Sequence, residues 1–166
     1  MKARVVVAHP DDCIIYASAY MNAHREYEWS IVYLTCHYGH KRAREISKYW
    51  SRRGVETTYL GFLDDAQDLR EQKLITWREE DAIDELQLAI GEVDLILTHN
   101  EFGEYGHPHH RLVHKAMQSV NIPKVYFSLN KEDIEYPMYV VLAELPRHRE
   151  SIKIHAADGV ARYKIG

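Results

Sequence analysis

The sequence is short of what several protein classes require. Only Cys13 and Cys36 are present, too few for a disulfide framework or a four-cysteine zinc site. No run of roughly 18 apolar residues exists to span a bilayer. The start, Met1-Lys2-Ala3-Arg4-Val5-Val6-Val7-Ala8, turns polar at His9-Pro10-Asp11-Asp12, which is not the pattern of a secretory signal. Basic charge is also scarce: 21 Lys and Arg against 25 Asp and Glu give a net charge of −4, where a dedicated nucleic-acid-binding domain would be basic. Internal repeats and low-complexity segments are absent. These absences predict a reduced, cytoplasmic chain with no membrane segment and no nucleic-acid-binding domain.

What is present is an ordinary globular composition, 46% hydrophobic and 28% charged. The 166 residues suit a single domain, since domains commonly run roughly 100–200 residues. The one unusual number is 11 histidines.

Short apolar runs alternate with amphipathic stretches. Arg4–Ala8, Trp29–Cys36, Val55–Gly61, Val93–Thr98 and Lys124–Leu129 read as strands, and Tyr139–Ala143 as a sixth. Helices are expected from near Asp12, over Lys41–Arg53 with Gly54 ending it, from a Thr76–Glu79 capping box to Gly91, and from Pro108 onward. Strands alternating with helices of this length indicate βαβ units. The expected fold is an α/β, Rossmann-like three-layer sandwich with a mostly parallel sheet of about five or six strands. It fills one domain, residues 1–166, with a short C-terminal region after about residue 137. Ligands of such sheets bind outside the carboxyl ends of the strands.

Two clusters fall at those ends. His9-Pro10-Asp11-Asp12 follows the first strand. Five of the 11 histidines lie between positions 99 and 114, after the fourth strand: His99, His107, His109, His110 and His114. Imidazole and carboxylate are typical ligands of catalytic zinc, usually three from the protein plus a water. The two clusters supply three ligands with acids and bases left over. Each cluster also has a plainer reading. Asp11 and Asp12 suit helix capping, and Cys13 suits a buried helix position. His110 and His114 share a helix face, but Arg111-Leu112-Val113 between them lacks the glutamate of a HExxH zinc site. Six of the 21 cationic residues crowd Lys41–Arg53, as expected of a solvated helix face or of a first turn that meets an anionic substrate.

Ala8-His9-Pro10-Asp11-Asp12, followed by Gly106-His107-Pro108-His109-His110, resembles the two signature motifs of the PIG-L/LmbE-like family of zinc-dependent N-deacetylases. The resemblance covers the first strand through the helix after the fourth. It implies His9, Asp12 and His110 as zinc ligands and Asp11 as general base. It further implies that His107 stabilises or protonates the tetrahedral intermediate and that Tyr105 polarises the substrate carbonyl. Looser patterns make Arg42, in an Arg-x-x-Glu pair with Glu45, and Asp64 substrate contacts. The implied cofactor is Zn²⁺, with another divalent transition metal such as Fe²⁺ as the alternative. The implied substrate is an N-acetylglucosamine-type sugar or sugar conjugate, and homo-oligomer formation stays open.

Two positions depart from the family pattern. Cys13 stands where the first motif continues with Glu, and His109 where the second has Asp. The chain also stops sooner than many members, so the substrate pocket is expected to be an open groove or to be completed by another subunit. Two competing readings are a receiver-like domain, whose acidic pair would bind Mg²⁺, and a degenerate member that binds sugar without cleaving it.

Overall fold

The computed structural model describes residues 1–64, 77–155 and 158–166. Strands β1 (Lys2–Val7), β2 (Glu28–Thr35), β3 (Glu56–Phe62), β4 (Leu95–Thr98) and β5 (Lys124–Ser128) are parallel. Two more, β6 (Ile134–Pro137) and β7 (Val160–Ile165), extend the sheet antiparallel beyond β5. The strand order is β3-β2-β1-β4-β5-β7-β6, a Rossmann-like arrangement with one strand more than the upper expectation.

The apolar run of β1 is explained by burial on both faces. Ala3, Val5 and Val7 join one core layer with a π-helical turn (Cys13–Ala17), α1 (Ser18–Ala23) and α2 (Lys41–Ser51). Val6 and Ala8 point the other way, into a layer built by α3 (Glu79–Leu88) and α5 (Pro108–Gln118). Fully burying a valine contributes about 1.5–3 kcal/mol, so a central strand gains from apolar residues at every position. Val5 pairs with Ile31 on β2 and Leu97 on β4. Sequential strands pass outward from β1 on one side and resume with β4 on the other. The switch point between β1 and β4 therefore opens a crevice at their carboxyl ends.

Gly54 and Gly91 follow α2 and α3 with φ of 72° and 59°, the left-handed geometry expected of glycine just past a helix. The expected Thr76–Glu79 capping box falls on Thr76, which lies outside the described residues; α3 starts at Glu79 with Arg78 as N-cap and no cap hydrogen bond from the Arg78 side chain. Tyr139–Ala143 is not a strand. Its alternation is real, with Met138, Val140 and Leu142 packed on the core, but β7 and β6 occupy the sheet edge. The segment instead runs across α1, where Asn22 Nδ2 donates to the Tyr139 carbonyl at 3.2 Å. It ends in a 3₁₀ turn, Leu142–Glu144, before α6 (Arg149–His155).

Candidate active site at the carboxyl ends of β1 and β4

The chain leaves β1 in a tight turn, with Asp12 N–H donating to the His9 carbonyl at 3.2 Å. Asp12 occupies the N-cap position of the π turn but makes no side-chain cap. Its Oδ2 accepts from His9 N–H at 2.7 Å instead, which frees the carboxylate from the capping role. After β4, α4 (Gly103–Gly106) leads into α5. His107 caps α5, its Nδ1 accepting from His109 N–H at 3.1 Å. One helical turn places His110 behind it, fully buried.

His9 Nδ1, Asp12 Oδ2 and His110 Nε2 form a triangle with edges of 3.1, 3.1 and 3.3 Å. Tetrahedral ligands about 2.0–2.1 Å from zinc stand about 3.3 Å apart. The donor set, two imidazoles and a carboxylate, fits zinc chemistry and leaves one position open. Burial raises the Asp12 carboxyl, but the His110 and His9 imidazoles outweigh it and hold the group well below its usual range.

Glu104 backs this triangle. Its Oε2 lies 2.6 Å from His110 Nδ1 and 2.8 Å from His99 Nδ1, while Oε1 accepts from Asn100 N–H at 3.0 Å. A proton on His110 Nδ1 satisfies Glu104, and Nε2 is the nitrogen that faces Asp12 and His9. His99 Nε2 accepts from Ala8 N–H at 3.1 Å, tying the end of β4 to that of β1. Burial opposes the Glu104 charge, but His99 and His110 pull its pKa down to about 2. Glu104 sits at φ 57°, a conformation that costs a non-glycine residue roughly 1–3 kcal/mol. His109 Nδ1 is 3.0 Å from His9 Nε2, on the side of that ring away from Asp12. His114 donates from Nδ1 to the His99 carbonyl at 3.0 Å, which gives it a supporting position.

Asp11 faces a cavity of about 190 Å³ lined by His9, Asp12, Tyr16, Arg42, Asp64 and His107 among others. Arg42 Nη2 lies 3.1 Å from Asp11 Oδ1, and Arg42 Nη1 lies 3.6 Å from Asp64 Oδ2. Asp64 Oδ1 is 3.6 Å from His9 Nε2. All eight residues singled out in the sequence therefore meet in one place, with Tyr105 at its rim. Tyr105 is 58% exposed and stacks on His155 of α6.

The surroundings of His107 disfavour its charged form. Burial, followed by the His9, His110 and His109 imidazoles, pushes it down to about 2. With Nδ1 accepting a hydrogen bond from His109 N–H, Nε2 is the nitrogen left to carry a proton. Cys13 lies outside the cavity: its Sγ contacts Tyr33 Oη at 2.8 Å, Trp50 Nε1 at 2.9 Å and the Pro10 carbonyl. Burial pushes its thiol up, as suits a packing role.

The groove is not simply open. Ser151 of α6 donates to Asp11 Oδ2 at 2.8 Å. His148 joins Glu45 to Arg42, with Nδ1 2.5 Å from Glu45 Oε2 and Nε2 accepting from Arg42 Nε at 3.4 Å. Sequence reasoning did not assign Glu104, His148, Ser151 or Tyr16 to the site. A lone acid, histidine or serine outside a motif carries no spacing signal, and each gains meaning only from its partner.

A family model described as GlcNAc-PI de-N-acetylase, PIG-L, matches residues 4–121, over two thirds of the chain. The chain belongs to the PIG-L family. The PIG-L match contains every sequence-predicted site residue, whereas His148 and Ser151 lie beyond it. A relative from Acanthamoeba polyphaga mimivirus, "Uncharacterized protein L374", is 24% identical over 155 residues, spanning 85% of this chain and 67% of that protein. The zinc-inhibited form of teicoplanin deacetylase Orf2 is similar with a TM-score of 0.57 at 12% identity, covering 100% of this chain and 99% of the other. N,N'-diacetylchitobiose deacetylase from Pyrococcus horikoshii gives 0.55 at 16% identity over 94% and 70% of the two chains. GalB, the 4-carboxy-2-hydroxymuconate hydratase from Pseudomonas putida KT2440, gives 0.54 at 15% over 95% and 84%. Such likenesses establish the PIG-L fold here and leave the chemistry to the site. Among the described residues no helix is long and apolar enough to cross a membrane.

Proposed function

We propose that this PIG-L family chain is a metal-dependent N-deacetylase acting on an N-acetylglucosamine-type sugar or sugar conjugate. The observation that carries the reading is the open His9–Asp12–His110 triangle with Asp11 beside it on the same cavity. Family membership and the fold shared with two deacetylases support it. A receiver-like Mg²⁺ site would need oxygen ligands, and two of the three donors here are imidazoles.

Zinc held by His9, Asp12 and His110 would lower the pKa of a bound water toward about 7 and polarise the acyl oxygen. Asp11 takes the proton lost by the attacking water. Arg42 and Ser151 hold one Asp11 oxygen each, which fixes the carboxylate toward the cavity. Neutral His107 offers its Nε2 proton to the oxygen that gains negative charge. As the C–N bond breaks, the departing nitrogen receives the proton that Asp11 accepted, giving an amine and acetate. Arg42 and Asp64 line the approach and contact the sugar or its substituent.

The test is amine release from N-acetylglucosamine, nucleotide N-acetyl sugars and short N-acyl amines by metal-loaded and metal-stripped protein. Release by the loaded form alone is expected. Loaded protein that releases no amine from any of these substrates would overturn the reading.

A further inference from the structure

The π-helical turn after the first motif has an identifiable cause. In an unbroken α-helix Tyr20 N–H would bond the Tyr16 carbonyl, four residues back. Here the hydroxyl of Tyr163, fully buried on β7, stands between them. It accepts from Tyr20 N–H at 3.1 Å and donates to the Tyr16 carbonyl. A side chain inserted into the helical ladder is a recognised cause of such distortion, and single π turns gather at functional sites.

The turn carries Tyr16 into the cavity wall. Its ring stacks on Phe127 at 5.3 Å and meets the rings of His99 and His110 edge-on at 6.2 and 6.1 Å. The Tyr16 hydroxyl has no hydrogen-bond partner among the described residues, although the side chain is largely covered. Partly buried phenols ordinarily find a partner, and Tyr16 is among the residues that line the cavity. Burial, then the Asp12 and Glu104 carboxylates, push its pKa up, so it stays protonated and can donate.

We propose that Tyr16 donates a hydrogen bond to the acyl oxygen of the substrate, and that Tyr163 is the residue that positions it. This rests on the deacetylase reading for its substrate. The ligand class is an acetyl group bound in the cavity that His9, Asp12 and Tyr16 line together. Tyr105, expected from the resemblance to polarise the same carbonyl, lies exposed at the rim of this cavity.

The experiment compares zinc-loaded wild type, Tyr16→Phe, Tyr163→Phe and the double variant in turnover and in acetate binding by titration calorimetry. Tyr16→Phe is expected to lower kcat by about 10²-fold, as for loss of one oxyanion donor, with KM within about twofold, and to weaken acetate at least about fivefold on the same argument. Tyr163→Phe should move both quantities the same way, and the double variant should be no worse than Tyr16→Phe, because the two act through one contact. Additive losses would overturn the positioning role of Tyr163. Unchanged acetate affinity in Tyr16→Phe, or no acetate binding by zinc-loaded wild type, would overturn the Tyr16 contact. If wild type binds acetate but releases no amine, the deacetylase reading fails, and the acetate comparison still decides Tyr16. Should Tyr163→Phe fail to fold, Tyr16→Phe alone decides the contact.

Discussion

Ser151 Oγ donates to Asp11 Oδ2 at 2.8 Å, across 140 residues of sequence. The bond joins α6, beyond the family match, to the acid proposed as general base. A typical net hydrogen bond is worth about 1 ± 0.5 kcal/mol. Ser151→Ala should therefore lower kcat/KM about three- to tenfold while metal content stays unchanged. Elemental analysis beside steady-state kinetics checks both halves, and unaltered kcat/KM would remove Ser151 from the site.

Asp11→Asn keeps the size of the side chain and removes its basicity. Turnover should fall about 10²–10⁴-fold, the usual worth of general acid–base assistance, with zinc retained. A variant that kept wild-type kcat would show that the base lies elsewhere.

Glu104→Gln should weaken metal binding about 10–100-fold, since partners that orient metal-ligating histidines carry that much. The glutamine can offer its amide N–H where His110 Nδ1 needs an acceptor. His110→Ala should lose the metal outright. Competition with a chromophoric chelator ranks the three proteins; full zinc occupancy in His110→Ala would shift the ligand role to His109 or His114.

His148 gives a pH dependence with a definite sign. Burial lowers its pKa below 6.5, against the pull of Glu45 and Asp11. The unfolded chain thus binds the proton more readily, and stability rises with pH through this window. The contribution is full above about 6.5, the unfolded value, and is lost as pH falls toward the lower folded value. Protonated Nε2 could no longer accept from Arg42. Melting temperatures from pH 7.5 to 5.5 should fall more in wild type than in His148→Gln; equal slopes would contradict this.

The sequence alone determined the central sheet and, through the family resemblance, pointed to His9, Asp12 and His110. Three consecutive valines at Val5–Val7 demand burial on both faces, which only a central strand offers. His9, Asp12 and His110 come from two compact motifs, each at a strand end, so local spacing and the switch-point rule bring them together. Arg42 and Asp64 came from looser patterns of the same resemblance, and they meet at the site because every parallel strand delivers its next residues to one edge.

The tertiary structure decided the rest. Tyr139–Ala143 alternates like a strand, yet whether an edge is free to receive it depends on where β6 and β7 pair. Glu104 is one acid among many until its backbone turns to φ 57° and sets it beneath two imidazoles. Tyr16 has the periodicity of an ordinary helix residue, and its register was set by Tyr163, 147 positions away. Periodicity reports which face of an element meets the core. Contacts between distant elements depend on the closure of the whole chain, and the C-terminal reach of Ser151, His148 and Tyr163 to the site is of that kind.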